Sequence, residues 1–307
     1  MEKEKYDLII IGGGPAGYTA SLYASRFKLK HLIVSKFWGG IITEAHKIDN
    51  YPSETEITGL DLMKKMKKQV ERFNPEMMTE EIEYLKKEND YFLVVTESGR
   101  ELRGKTLLLA TGSRRQKLQL DREKEFIGRG ISYCATCDAM FYQNKVVGVI
   151  GGSDAATTAT LHLAKMAKKV YQLCEGAKRK GDLLRIEQAE KKSKIETIYN
   201  VKVKELLGDD HLQGVKMSSS YKGSDVLNLD GLFIEMGSIP NALLFAQLGL
   251  KVDGQGYIET QADMSTSLLG VWGAGDITTG SNNFRQVITA CAEGAIAAES
   301  ISNFLQN

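Results

Sequence analysis

Two segments of this chain carry the same local design, and that repetition limits its fold more than any other feature. Residues 6–11, Tyr-Asp-Leu-Ile-Ile-Ile, are a short apolar run rich in β-branched residues. The turn Gly12-Gly13-Gly14-Pro15-Ala16-Gly17 follows, then a helical stretch over 18–27 and a second apolar strand over 29–35. The second copy has a strand at 145–150, the turn Gly151-Gly152-Ser153-Asp154-Ala155-Ala156, a helix at 157–167 and a strand at 170–173. Apolar runs this short, bounded by glycines, read as strands. Strands alternating with helices give a parallel sheet, so the chain reads as α/β with an internal repeat of the nucleotide-binding type.

The first turn has the spacing G-x-G-x-x-G between a strand and a helix. Gly12 permits the tight turn, Gly14 lets backbone approach a pyrophosphate, and Gly17 lets helix and strand pack closely. The helix N-terminus, entered through Pro15 and Ala16, then faces the phosphates with its amides. The second strand ends at Ser35, where a carboxylate is usual for a ribose hydroxyl; a serine hydroxyl serves more weakly. In the second copy Ser153 stands where the fingerprint wants its second glycine, and that side chain narrows the approach.

Between the copies, 38–43 (including Gly40, Ile41 and Thr43) and 49–52 (including Asn50) read as loops. Residues 60–73 have an amphipathic helical pattern whose Lys64-Lys65 and Lys67-Lys68 pairs form a solvated face, and Met77 and Met78 read as packing. Residues 82–109 suggest a small antiparallel sheet with a turn at 97–100. It runs into Ala110-Thr111-Gly112, small residues that leave room for a dinucleotide. Residues 113–130 read as a linker, 203–233 as a meander of short strands, and 237–241 as a return linker. The last helix, from about residue 284, is dense in alanine and glycine and suited to close packing on a neighbour.

The redox-capable segment is Ser132-Tyr133-Cys134-Ala135-Thr136-Cys137-Asp138. Two cysteines at this spacing can close a disulfide within one turn and can poise one thiol as a thiolate. Zinc would need four ligands, but Cys174 and Cys291 stand alone in sequence and read as buried, inert thiols. The four histidines, 31, 46, 162 and 211, show no ligand or triad spacing. A length of 307 residues allows two domains, and 42% hydrophobic with 26% charged residues is a globular composition. Net charge is +1, which points to neither nucleic acid nor an anionic membrane. No apolar run approaches the ~18 residues of a bilayer span, and the N-terminus shows no leader pattern. A cytoplasmic redox role fits this cysteine usage.

Taken in order, these landmarks resemble the low-molecular-weight thioredoxin reductases. The most specific pieces are Cys134-Ala135-Thr136-Cys137-Asp138, Gly275-Asp276 and Phe284-Arg285-Gln286, and the match runs from Tyr6 to the C-terminal helix. The resemblance implies two dinucleotide-binding, Rossmann-like, three-layer domains. An FAD-binding domain (1–116 and 242–307) is split by an inserted pyridine-nucleotide-type domain (117–241) that carries the cysteine pair. It implies a flavin site built from Gly12, Gly14, Pro15, Ala16, Gly17, Ser35, Gly40, Ile41, Thr43, Asn50, Thr111, Gly112, Gly275, Asp276, Arg285, Gln286 and Val287. Asn50 and Thr43 would lie near the flavin, Asp276 would bind its ribityl chain, and Arg285 and Gln286 would approach its ring. Cys137 would face the flavin, Cys134 would attack a thioredoxin-like partner's disulfide, and Asp138 would act as general acid and base. A homodimer is implied.

The inserted domain departs from that pattern. Besides Ser153, Thr157 and Thr158 replace a pair of glutamates, and Cys174-Glu175-Gly176 replaces the His-Arg-Arg cluster that holds the 2′-phosphate of NADPH. A carboxylate repels a phosphate dianion, so the residues argue against NADPH. Glu175 stands 24 residues after Gly151, near where an acid accepts a ribose hydroxyl, which favours NADH. Alternatively the site has lost nucleotide binding and the donor is ferredoxin, with a deazaflavin also conceivable. Lys178-Arg179-Lys180 reads as a solvated turn, with contact to an acidic ferredoxin or a phosphate as the alternative. Ala139 and Ile41 are further departures. The readings left open are an ordinary NADPH enzyme, a small-molecule disulfide reductase or dithiol oxidase, and a non-catalytic flavin redox sensor.

Overall fold

The computed structural model describes residues 5–45, 48–240 and 243–306. His46 and Asn241, the last residue of the expected return linker, lie outside them. The chain divides into two compact units, Met1–Arg114 with Ile239–Asn307, and Arg115–Ser238.

The first unit opens with β1 (Lys5–Gly13), α1 (Pro15–Arg26) and β2 (His31–Trp38). The helix starts at Pro15, earlier than the sequence pattern suggested, because proline presets the helical φ and its missing N–H costs nothing there. β2 runs past Ser35, since Trp38 still pairs with Gly13 after a register shift. Thr58 caps α2 (Gly59–Glu71) by accepting a hydrogen bond from the Asp61 amide. β3 (Glu76–Met78), β4 (Ile82–Lys87), β5 (Phe92–Thr96) and β6 (Glu101–Leu109) follow.

The small antiparallel sheet expected over 82–109 is present in its pairing but is part of a larger sheet. β5 is antiparallel to both β4 and β6, but β6 also pairs in parallel with β1, so all three belong to one seven-stranded sheet with the path β3-β2-β1-β6-β5-β4 and a seventh strand, from residues 271–273, beside β6. The driving term is burial on both faces of β1. Leu8 and Ile10 pack among residues of α1, α2 and the C-terminal helix. Ile9 and Ile11 pack with Leu85, Val94, Leu244, Phe245 and Leu250 on the other side.

The segment expected to be a linker carries β7 (Ser113–Arg115) and α3 (Glu123–Phe126). The second unit continues with β8 (Ile131–Ser132), α4 (Ala135–Asp138), β9 (Val146–Ile150), α5 (Asp154–Leu163), β10 (Lys169–Leu173), α6 (Leu183–Glu190) and β11 (Ile195–Ile198). β12 (Val203–Leu207), β13 (Gly214–Tyr221) and β14 (Ser224–Asn228) form the antiparallel meander. β15 (Gly231–Ile234), read as part of that meander, instead joins a five-stranded parallel sheet ordered β11-β10-β9-β15-β8. Its four residues are all buried, as an interior strand requires. Leu232 and Ile234 face the meander, while Phe233 faces the α5 side, so this unit too has three layers.

The chain returns through β16 (Ser238–Pro240), α7 (Leu243–Ala246) and β17 (Val271–Gly273), which pairs with β6. The last helix, α8 (Val287–Gln306), starts three residues later than expected. Phe284 has φ −82° and ψ 85°, outside the helical region, and the Ala290 amide makes an early helical bond to the Gln286 carbonyl. The fold is mixed α/β with two Rossmann-like units. No described helix is long and apolar enough to cross a membrane.

Candidate active site

The glycine turn of the first unit is built by close approach. Gly12 has φ +122°, and a Cβ there would lie 2.1 Å from the Ala110 carbonyl oxygen. A Cβ on Gly17 would lie 1.9 Å from the Gly12 oxygen, so helix and strand touch through bare backbone. Gly14 and Gly40 face open space: a Cβ on Gly14 meets only the Gly39 oxygen at 4.0 Å, and one on Gly40 only the Gly14 Cα at 3.5 Å. Gly112 has nothing within 4 Å. Beside it the buried Thr111 hydroxyl has no hydrogen-bond partner. The first turn of α1 carries no side-chain cap and no acidic residue. Pro15 has no amide and the Tyr18 amide donates to the Gly14 carbonyl at 2.9 Å, which leaves those of Ala16 and Gly17 for an anion, and the positive end of the helix favours one. These features fit a dinucleotide.

Ala16 is where the remaining elements converge. A Cβ on Gly275 would lie 3.1 Å from the Ala16 Cβ, and one on Gly294 in α8 would lie 2.3 Å from the Ala16 oxygen. That brings the Gly275-Asp276 turn to the start of α1. Burial holds the Asp276 carboxyl above the usual carboxylate range, against the opposing pull of Arg285. The Arg285 guanidinium stacks on Tyr257, 3.6 Å from the ring centre, and donates to the Asn283 side chain at 2.9 Å. Its Nε is buried without a partner. Asn50 Nδ2 donates to Gln286 Oε1 at 2.9 Å. Val287 opens α8. Thr43 donates to the Gly40 carbonyl at 2.9 Å, and Ile41 is partly exposed in the same loop. Ser35 lies against Gly13, but its hydroxyl donates to the Phe37 carbonyl at 2.9 Å, which leaves only its lone pairs for a ligand.

In the second unit Cys134 and Cys137 are joined in a disulfide, with their Cα atoms 5.3 Å apart across the first turn of α4. The Cys137 amide donates to Cys134 Sγ at 3.1 Å. Cys137 is exposed, whereas Cys134 and Asp138 are half-buried. The Ser132 hydroxyl accepts from the Cys134 amide at 3.0 Å and donates to the Cys134 carbonyl at 3.2 Å. Tyr133 donates to the buried carboxylate of Glu123, whose other oxygen accepts from the Gln119 amide. Burial, with Glu123 alongside, pushes the Tyr133 hydroxyl up to about 12. The sequence reading passed over this anchor; its only signal was a tyrosine directly before a reactive cysteine.

The second glycine turn repeats the backbone of the first but not its opening. A Cβ on Gly151 would lie 2.1 Å from the Glu235 oxygen, as Gly12 does from Ala110. Here, however, the Ser153 hydroxyl accepts from the Ala156 amide and caps α5, occupying a donor that is free in α1. Glu175 pairs with Lys202 at 3.2 Å. The reading of 178–180 as a solvated turn is corrected at Arg179. Its side chain is 3% exposed and is held by Gln172, Glu190 and Tyr199. Cys174 and Cys291 are buried and unpaired, and burial pushes the Cys174 thiol up to about 11. Among the described residues no cluster of His, Cys, Asp and Glu suits a metal. Trp38, stacked on Tyr18, and the buried Glu293 were not singled out from sequence.

Two nucleotide-type folds, one carrying a Cys-x-x-Cys disulfide, define a disulfide oxidoreductase. The family described as pyridine nucleotide-disulphide oxidoreductase matches residues 6–294. A thioredoxin reductase of Listeria monocytogenes is 34% identical over 99% of this chain and 95% of its own length. The solved thioredoxin reductase of Lactococcus lactis is 33% identical, with TM-score 0.92, over 98% of this chain and 99% of that one. A ferredoxin-flavin thioredoxin reductase from Clostridium acetobutylicum is 29% identical, with TM-score 0.54, over 99% of both chains. The chain belongs to the pyridine nucleotide-disulphide oxidoreductases and, within them, to the thioredoxin reductases, which are flavin enzymes.

Proposed function

We propose that this protein reduces the disulfide of a thioredoxin-like partner, with FAD held by the first unit and an electron donor other than NADPH. The observation that carries the reading is the Cys134–Cys137 disulfide in a chain of this family. When bound, the flavin supplies the two electrons that open that disulfide, and flavins also accept electrons singly, so a one-electron donor such as ferredoxin is compatible. Gly14, Gly40 and the free amides of α1 suit the pyrophosphate; Thr111, Asp276, Arg285 and Gln286 suit the remainder.

In the reduced dithiol the Cys137 amide supports a thiolate at Cys134. That thiolate attacks one partner sulfur, forming a mixed disulfide and expelling the other sulfur. Asp138, which follows Cys137, supplies the proton the leaving thiolate takes up. Asp138 then takes the Cys137 thiol proton, the Cys137 thiolate attacks Cys134 Sγ in the mixed disulfide, and the departing partner sulfur takes that proton back from Asp138, which restores the internal disulfide and releases the partner as a dithiol.

The donor assignment rests on the second unit. Ser153 closes the amide end of α5, Glu175 is engaged by Lys202, and Arg179 is buried and already held by Gln172, Glu190 and Tyr199. The ferredoxin-linked relative supports ferredoxin; NADH is the competing donor through Glu175. The domain assignment (FAD on 1–116 and 242–307, the dithiol on 117–241) and the homodimer are parts of the same proposal. Cys134→Ser and Cys137→Ser should each abolish reduction of thioredoxin while the protein stays yellow, and the double variant should be no worse than either single one. Full activity in either single variant would contradict the mechanism.

A further inference from the structure

Glu293 is a buried carboxylate that the reaction above does not use. It sits on the inner face of α8 with 4% of its surface exposed. Its Oε2 accepts from the Gly275 amide at 2.7 Å and from the Thr278 hydroxyl at 3.1 Å. Its other oxygen lies against Gly280, where an added Cβ would come within 2.6 Å of it. The single Thr278 hydroxyl proton is shared between Glu293 and the Gly275 carbonyl, and the hydroxyl oxygen accepts from the Gly280 amide at 3.1 Å. Gly275 has φ +82°, so the chain reverses sharply just before Asp276. A charged side chain is rarely buried unless it is hydrogen-bonded to something that depends on it.

We propose that Glu293 is a positioning residue for the flavin site: it holds the 275–280 loop to α8 and so fixes Asp276 at the start of α1. This rests on the proposed flavin site and adds to it a residue that acts through Asp276 without touching the flavin. Oxygen acceptance from the Gly275 amide is the part that matters, so glutamine, which keeps a carbonyl oxygen, should replace glutamate and alanine should not.

The test measures FAD release from diluted holoenzyme by the rise in flavin fluorescence, for wild type, Glu293→Gln, Glu293→Ala and Thr278→Val, with thermal unfolding of the flavin-free protein alongside. The expected result is release at least about tenfold faster in Glu293→Ala, within about threefold of wild type in Glu293→Gln, and intermediate in Thr278→Val. A merely structural role would lower the unfolding temperature of the flavin-free protein without this ordering. If Glu293→Ala does not fold, Thr278→Val carries the test, and wild-type release from it overturns the proposal. Release from Glu293→Ala at the wild-type rate, or from glutamine as fast as from alanine, also overturns it. A wild-type protein that binds no FAD would instead overturn the flavin site itself.

Discussion

Asn50 and Gln286 are 236 residues apart in the chain and share a hydrogen bond of 2.9 Å, from Asn50 Nδ2 to Gln286 Oε1. One comes from the loop after β2 and the other from the residue before α8. The bond ties the two ends of the split first unit at the place where both residues were expected, from sequence, to meet the flavin.

If that bond orders the site, Asn50→Ala and Gln286→Ala should be non-additive. Each single variant should weaken FAD binding by about 0.5–1 kcal/mol, and the double variant should cost little more than one of them. A double-mutant cycle on FAD release measures this. Fully additive losses would mean that each side chain acts on its own.

Gly294→Ala should be among the most damaging single-methyl additions in the chain. The new Cβ would lie 2.3 Å from the Ala16 carbonyl oxygen, a backbone atom that moves only if α1 moves. Overpacking of this kind costs about 1–3 kcal/mol, and here it also shifts the helix start that faces the dinucleotide. Thermal unfolding and flavin content of the purified variant should fall together. Normal flavin content with a lowered unfolding temperature would separate packing from the site.

His31 should make stability depend on pH below neutrality. Burial lowers its pKa, with the Leu29 carbonyl opposing. Because that carbonyl can only accept, Nδ1 carries the proton and Nε2 accepts from the Ser21 hydroxyl at 2.8 Å. The folded protein therefore holds His31 neutral, while the unfolded chain takes up a proton near pH 6.5. Stability from this residue is fully present above about pH 6.5 and is lost as pH falls toward the lowered folded value, by at most about 1.4 kcal/mol per pH unit. Urea unfolding at several pH values between 7.5 and 5 should show this slope in wild type and a flatter one in His31→Gln. Equal slopes would remove His31 from the account.

What could be read in the sequence was what the chain encodes locally. A glycine turn between an apolar strand and a helix is a nearest-neighbour signal, and so is Cys134-Ala135-Thr136-Cys137. Partner choice between strands is not local. The β6 segment reads as the last strand of a hairpin sheet, and only the presence of β1 beside it shows that it also lies in the main sheet. β15 looks like one more meander strand until β9 and β8 are placed on either side. Buried charges were hidden for a related reason. Arg179 sits in a lysine-rich run that reads as solvated, and its partners Gln172, Glu190 and Tyr199 are brought in by the fold. Glu293 carries no local signal in a helix of small residues, and those small residues let the helix press it into the 275–280 loop.

The central claim is that the second unit keeps the dithiol but does not serve NADPH. An anaerobic titration of the oxidised, flavin-loaded protein with NADPH, then NADH, then reduced ferredoxin, followed by flavin absorbance, tests it most directly. The account predicts no rapid bleaching by NADPH and bleaching by reduced ferredoxin; bleaching by NADH alone would assign Glu175 to the ribose. Rapid and complete bleaching by NADPH would contradict the argument from Ser153, Glu175 and Arg179 and make this an ordinary NADPH-dependent thioredoxin reductase.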